Sequence, residues 1–177
     1  MEPKNSSYFL IYYYSLFSIL SSTSLSCFED HGKISITDKK FMCCIKHENL
    51  NKILSMLANA LKKRNEFSRV RISRNAFNTI LNELKDYGII IVKPREGSVE
   101  GRGYKRYVII YDADTIFKAR QCIKSILDYN LVNLIEEKLN ELRNGAAQMY
   151  FNDLSMEPQE CLRSLKDVDF WLQYVHR

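Results

Sequence analysis

Apolar positions recur at helical spacing from His47 to Arg64, where Leu50, Ile53, Leu54, Leu57 and Leu61 fall on one face. Lys62, Lys63 and Arg64 close that stretch with cations, which suit the negative end of a helix dipole, and Asn65 is the expected left-handed stop. A second helix is predicted from Arg74 to Tyr87 with Phe77, Ile80, Leu81 and Leu84 as its buried stripe. Ser73 stands where an N-cap hydroxyl accepts a free amide, and Gly88 where a C-terminal residue turns left-handed without a Cβ clash. The period then shortens. Ile89 to Val92 is β-branched and reads as a strand, Pro94 to Tyr104 carries Gly97, Gly101 and Gly103 and reads as a loop, and Tyr107 to Tyr111 is the return strand. The alternating run Ser68 to Ile72 is expected to supply the first strand of the same small sheet. Lys33 to Thr37 is another short strand candidate, and Phe41 to Ile45 a brief apolar run.

Helical spacing resumes at Ala113. Ile116, Ala119, Ile123, Ile126 and Leu127 line one side as far as Asp128, and Leu131, Leu134, Ile135, Leu139 and Leu142 continue to Arg143. Asp128-Tyr129-Asn130 either divides this stretch into two helices or lies inside one long helix. Asn130 and Asn133 interrupt the seam that a regular coiled coil requires. A last helix is expected from Glu157 to Tyr174, with Pro158 in its first turn. The fold class is therefore α+β and mostly helical. Three parts follow: a hydrophobic N-terminal segment over 1–46, a small mixed domain over 47–112, and a helical assembly region over 113–177.

The N-terminal segment admits three readings. Residues 8–28 carry no charge, as a signal peptide or membrane anchor requires, but seven of the 21 are Ser or Thr, which is poor for spanning a bilayer. Lys4 before the run and Glu29 and Asp30 after it would also direct the rest of the chain away from the cytoplasm. The third reading, an extra hydrophobic element packed on the domain or an extension ahead of Met42, is preferred. Localisation is accordingly expected to be cytoplasmic, with membrane association or secretion through 8–28 as the alternative.

Charge sharpens the picture of the middle. The chain has 177 residues and a net charge of +5. Residues 62–106 hold twelve Lys/Arg against five Asp/Glu, so this segment carries +7 and the remainder −2. A basic excess concentrated on one domain points to a polyanionic partner. The five cysteines, Cys27, Cys43, Cys44, Cys122 and Cys161, are odd in number and lack a CxxC, which suits free thiols in a reducing compartment better than a disulfide framework. Cys44 and His47 are spaced C-x-x-H, but no second closely spaced pair completes a zinc site. No metal or other cofactor is expected. The three histidines are scattered, no H-E-x-x-H, G-x-S-x-G or P-loop occurs, and the glycines at 97, 101 and 103 lead into a strand rather than a helix N-terminus. The chain is not expected to be an enzyme.

What remains is a surface suited to duplex DNA. Reading a major groove takes a helix with hydrogen-bonding side chains on its outer face and cations that reach phosphates. The Arg74 helix offers Arg74, Asn75, Asn78, Thr79 and Asn82 opposite its apolar stripe, with Arg74, Asn78 and Asn82 at i, i+4 and i+8. Arginine pairs bidentately with guanine, and asparagine with adenine. The following hairpin offers Lys93, Arg95, Arg102, Lys105 and Arg106 for phosphates or a minor groove, and Arg69 and Arg71 lie just ahead of the helix.

Leu57-Ala58-x-x-Leu61, then Ile80-Leu81-x-x-Leu84-x-x-Tyr87-Gly88-Ile89-Ile90, then Gly101-Arg-Gly-Tyr-Lys-Arg-Tyr resemble the winged helix-turn-helix superfamily, broadly the MarR and PadR groups, over about a third of the chain. The linker from Leu61 to Ser73 is longer than the tight turn usual there. The resemblance implies a winged domain over 47–112, dimerisation through the flanking helices, and sequence-specific binding of double-stranded DNA as a non-catalytic transcription regulator. Alternatives are a replication or partition factor using the same domain, a protein-interaction winged helix, or a membrane-anchored or secreted protein.

Overall fold

A computed structural model describes residues 3–31, 43–67, 71–94, 106–110, 113–156 and 160. In chain order these form α1 (Pro3–His31), β1 (Cys43–Lys46), α2 (His47–Lys62), a 3₁₀ turn (Asn65–Phe67), α3 (Arg74–Asp86), β2 (Ile90–Pro94), β3 (Arg106–Ile110), α4 (Ala113–Ile126), α5 (Tyr129–Asn144) and α6 (Gln148–Asn152). The chain is α+β and mostly helical, with one three-stranded antiparallel sheet in the order β1-β3-β2.

The N-terminal run is a helix held inside the protein. Ile11, Tyr14, Leu16, Ile19 and Leu20 are fully buried, and Ser15, Ser18, Ser21, Thr23 and Ser24 are buried with them. Several hydroxyls satisfy themselves on the helix's own backbone: Ser15 Oγ and Thr23 Oγ1 donate to the carbonyls of Ile11 and Ile19, each at 2.7 Å. That local bond satisfies part of a buried Ser-rich segment, while Ser21 Oγ and Ser24 Oγ are buried without a partner among the described residues. α1 packs chiefly along α4 and also touches α3, α5 and β1. Among the described residues no helix is long and apolar enough to cross a membrane.

Three consecutive tyrosines fasten α1 to different neighbours. Tyr12 donates to the Arg71 carbonyl at 2.9 Å and meets Phe77 of α3 edge-on, with ring centres 5.0 Å apart. Tyr13 donates to the carboxylate of Glu83 on α3. Tyr14 donates to Glu136 on α5, under the guanidinium of Arg120 from α4. Arg120 in turn donates to Ser18 Oγ at 3.0 Å, Tyr14 Oη at 3.1 Å and Glu136 at 3.3 Å. Further along, Arg143 of α5 donates to Ser22 at 2.9 Å, so α5 runs in the same direction as α1.

Helices α2 and α3 bury the stripes expected of them: Leu50, Ile53, Leu54, Leu57 and Leu61 on α2, and Phe77, Ile80, Leu81 and Leu84 on α3. Asn65 is not the left-handed stop of α2. No described residue other than Gly88 has positive φ, and the chain passes from Lys63 into the 3₁₀ turn instead, sinking Phe67 into the core. Ser73 does cap α3, accepting from the Ala76 amide at 3.3 Å. At the other end Gly88, with φ of 75°, allows the Gly88 and Ile89 amides to reach the Lys85 and Leu84 carbonyls, each at 3.0 Å. This double closure turns the chain from helix into β2.

Of the strand expected at Ser68 to Ile72, residues 68–70 lie outside the described residues. Residues 71–73 are not in a strand, and Ile72 is buried as an irregular residue ahead of the Ser73 cap. β1 takes the position beside β3, pairing Cys43 to Lys46 with Ile110 to Tyr107. Its outer edge is occupied in turn: the Lys46 amide donates to Leu154 and the Met156 amide to Cys44, both at 2.8 Å, around a bridge between Ile45 and Ser155. The expectation of free thiols holds for Cys27, Cys43 and Cys122 but not for Cys44, which is disulfide-bonded. The neighbouring Cys27 thiol, together with burial, pushes Cys43 well above its ordinary range.

The helical stretch after the sheet is two helices. Asp128 breaks it by accepting from the Asn130 amide at 2.8 Å, which caps α5. Because α4 ends there, Ile126 is 64% exposed rather than part of the buried side. The strand candidate at Lys33 to Thr37 and the predicted loop at 95–104 lie outside the described residues, as does nearly all of the helix predicted at Glu157 to Tyr174. One apolar cluster includes residues of α1, β1, α2, α3, the sheet, α4 and α5.

Burial first, then the neighbouring carboxylates, push Tyr13 and Tyr14 from the ordinary 10.0 up to about 12. Raised in the folded state, these phenols stabilise the fold fully below the unfolded value of 10.0, and that contribution is lost as pH rises through about 12. Denaturant midpoints should therefore fall steeply over this alkaline window. The drop should be shallower in Tyr13→Phe and Tyr14→Phe.

Candidate functional site

Helix α3 presents a polar face that no other part of the described structure covers. With 3.6 residues per turn, Arg74, Asn78, Asn82, Asn75 and Thr79 fall within an arc of roughly 140°. Arg74, Asn75, Thr79 and Asn82 are exposed and Asn78 is half-buried. Glu83 lies on the opposite side from Arg74, where Tyr13 engages it. The apolar stripe fills the remaining arc and faces α1, α2 and β2. The orientation of the polar face is thus fixed by what holds the other two sides.

The side chains on that face are not spent on holding the fold. Thr79 donates to the Asn75 carbonyl at 3.0 Å, within the helix. Arg71, Arg74, Asn75, Asn78 and Asn82 make no side-chain hydrogen bond or ion pair among the described residues. Lys85, not among the residues expected from the sequence, joins them: it is exposed and lies three positions beyond Asn82 on the same side. Its i+3 and i+7 spacing from Asn82 and Asn78 was the available signal.

Arg71 is exposed just ahead of the helix, its carbonyl held by Tyr12. The free amides at the Ser73-capped N-terminus of α3 add positive potential nearby. On the sheet, Pro94 pairs with Arg106 and Lys93 with Tyr107, which puts Lys93 and Arg106 together at the open end of the β2–β3 pair. Arg106 is exposed and Lys93 half-buried. Burial, then the charge of Arg106, lower the His47 pKa from its ordinary value, so Arg106 also lies close to the start of α2. Arg69, Arg95, Arg102 and Lys105 are outside the described residues. Among the described residues no group of three His, Cys, Asp or Glu is placed to hold a metal ion.

No protein-family model matches the chain, and neither a curated protein nor a solved structure does.

Polar side chains without partners are dispensable to folding. Arg74→Ala and Asn82→Ala should each change unfolding free energy by less than about 0.5 kcal/mol, whereas Ser73→Ala, which removes the α3 cap, should cost about 1 kcal/mol. Urea unfolding followed by circular dichroism measures both.

Proposed function

We propose that residues 43–110 form a winged helix-turn-helix unit that binds double-stranded DNA sequence-specifically, with the chain acting as a homodimeric, non-catalytic transcription regulator. α3 is the reading helix and β2–β3 the wing. The observation that carries this is the uncovered face of α3, with Arg74, Asn78, Asn82 and Lys85 aligned and without structural employment, directly ahead of a basic hairpin. The strand order supports it too, since the hairpin packs on β1 and so travels with α2 and α3 as one body.

The division of labour follows from chemistry. Arg74, Asn78 and Asn82 carry the donor and acceptor patterns that distinguish base edges in a major groove. Arg71, Lys85 and Arg106 supply phosphate contacts that set register without reading sequence. Arg102 and Lys105 are assigned to the wing's phosphate contacts on their sequence positions. Holding the back of α3 on α1 through Tyr12, Phe77, Tyr13 and Glu83 keeps the reading face rigid.

Fluorescence anisotropy with labelled randomised duplexes at two salt concentrations tests the proposal. Affinity should fall steeply with salt, by roughly 0.9 in log–log slope per phosphate contact. Arg102→Ala, Lys105→Ala and Arg106→Ala combined should weaken all sequences alike and flatten that slope. Asn78→Ala should relax preference at one position, at about 1–3 kcal/mol. Salt-independent binding, or none, would refute DNA recognition.

A further inference from the structure

The chain has five cysteines. Cys27, Cys43 and Cys122 are free thiols, yet Cys44 is disulfide-bonded. The one cysteine left to hold it is Cys161, in the sequence beyond α6. The free pair is the obvious rival, because Cys27 lies within hydrogen-bonding reach of Cys43 and both are buried. Successive residues of a strand point to opposite faces, so the Cys43 and Cys44 sulfurs lie on opposite sides of β1. Cys43 is also a poor attacking group, since the Cys27 contact, then burial, hold its thiol well above the ordinary range. The bond at Cys44 therefore has no ready route of exchange onto this pair.

The chain after α6 already lies where a bond to Cys44 needs it. Ile45 bridges Ser155 antiparallel, the Lys46 amide donates to Leu154 and the Met156 amide to Cys44, both at 2.8 Å. Met156 thus stands directly opposite Cys44, at roughly the 4.5–5.5 Å of an antiparallel pair. Cys161 follows Met156 by five positions. That leash spans at most about 17 Å, and a disulfide requires Cα atoms within about 7 Å of each other. Closure on Cys44 is therefore a local step. Besides the backbone bonds, Asn49 donates to the Asp153 carbonyl at 2.7 Å, Lys46 pairs with Asp153 at 2.6 Å, and Leu154 and Met156 are buried. The Asp153 side chain is 66% exposed, so the ion pair contributes little.

We propose that a Cys44–Cys161 disulfide latches the segment after α6 onto the outer edge of β1, and that the redox state of this bond sets how often that edge is uncovered. Reduction by a dithiol breaks the single S–S bond. Two electrons and two protons pass from the dithiol to the Cys44 and Cys161 sulfurs, and the dithiol closes into its own disulfide. In a reducing compartment such a bond is transient, so the latch follows the ambient thiol–disulfide poise. Nothing in this assignment depends on DNA binding.

Peptide mapping of the full chain, equilibrated with oxidised glutathione, tests the bond. The protein is denatured without reductant, blocked with iodoacetamide and cut with trypsin. Peptides 41–46 and 144–163 should emerge joined, with Cys27, Cys43 and Cys122 carrying the label. Fragmentation between Cys43 and Cys44 locates the bridge without any substitution. Amide hydrogen exchange of the native protein tests the latch. Exchange at Lys46 and Met156 should quicken by roughly tenfold or more on adding dithiothreitol, while the amides that pair β2 with β3 hold their rates. Cys161→Ala should show the fast rates without reductant and no further change with it. No bridge, a bridge from Cys44 to another cysteine or to a second chain, or unchanged Lys46 and Met156 exchange in both the reduced protein and Cys161→Ala would each overturn the proposal.

Discussion

The uncharged middle of α1, buried around most of its circumference between Ile11 and Cys27, has to be surrounded, and the layout of this protein is the answer to that requirement. α1 has no polar side broad enough to serve as a surface, so α3, α4, α5 and β1 all come to it. Ser15, Ser22 and Thr23 ease this burial by bonding to the helix itself. Where polar groups cross from α1 to its neighbours they do so in specific pairs, Tyr13 with Glu83 and Tyr14 with Glu136 beneath Arg120. Such pairs fix rotation and axial position in a way that apolar contact alone does not.

The exposed face of α3 is a consequence of this arrangement. A helix whose back rests on α1 and α2 and whose flank is tied by Glu83 has only one side left for solvent. Arg74, Asn78, Asn82 and Lys85 are that side. Their availability thus originates in packing twelve ångströms or so behind them, about the thickness of one helix, rather than in anything local to the asparagines.

Which of this was legible in the sequence depends on how far apart the determining residues lie. The stripes Leu50 to Leu61 and Phe77 to Leu84, the Ser73 cap and the Gly88 turn are local, with each signal complete within about one helix length, and each was readable. For residues 8–28 a packed element was the preferred reading, but its partners were not legible, because Glu83, Arg120 and Glu136 are 70 to 122 positions away. That Cys43 to Lys46 lie beside β3 was not foreseen for the same reason. Val70 and Ile72 alternate as a strand does, but pairing beside β3 was decided by Cys43 to Lys46 across some 60 intervening residues. Ile126 was assigned to the core because periodicity cannot see that α4 ends at that residue, two positions before the Asp128 cap. On the candidate face, composition and spacing located Arg74, Asn78 and Asn82. Lys85 was passed over because it sits beside Leu84 near the helix end.

Leu154 to Met156 lie along the outer edge of β1 and satisfy the backbone groups of Cys44 and Lys46 that would otherwise face outward. An open strand edge is a template on which another chain can grow, and sheet proteins blunt such edges to avoid sticking to copies of themselves. Here the segment that follows α6 does this for β1. Among the described residues, that leaves the far side of β2 as the remaining place where a foreign strand could be added. Removing the chain beyond Asp153 would therefore uncover an adhesive margin on the sheet at the same time as it takes Leu154 and Met156 out of the core.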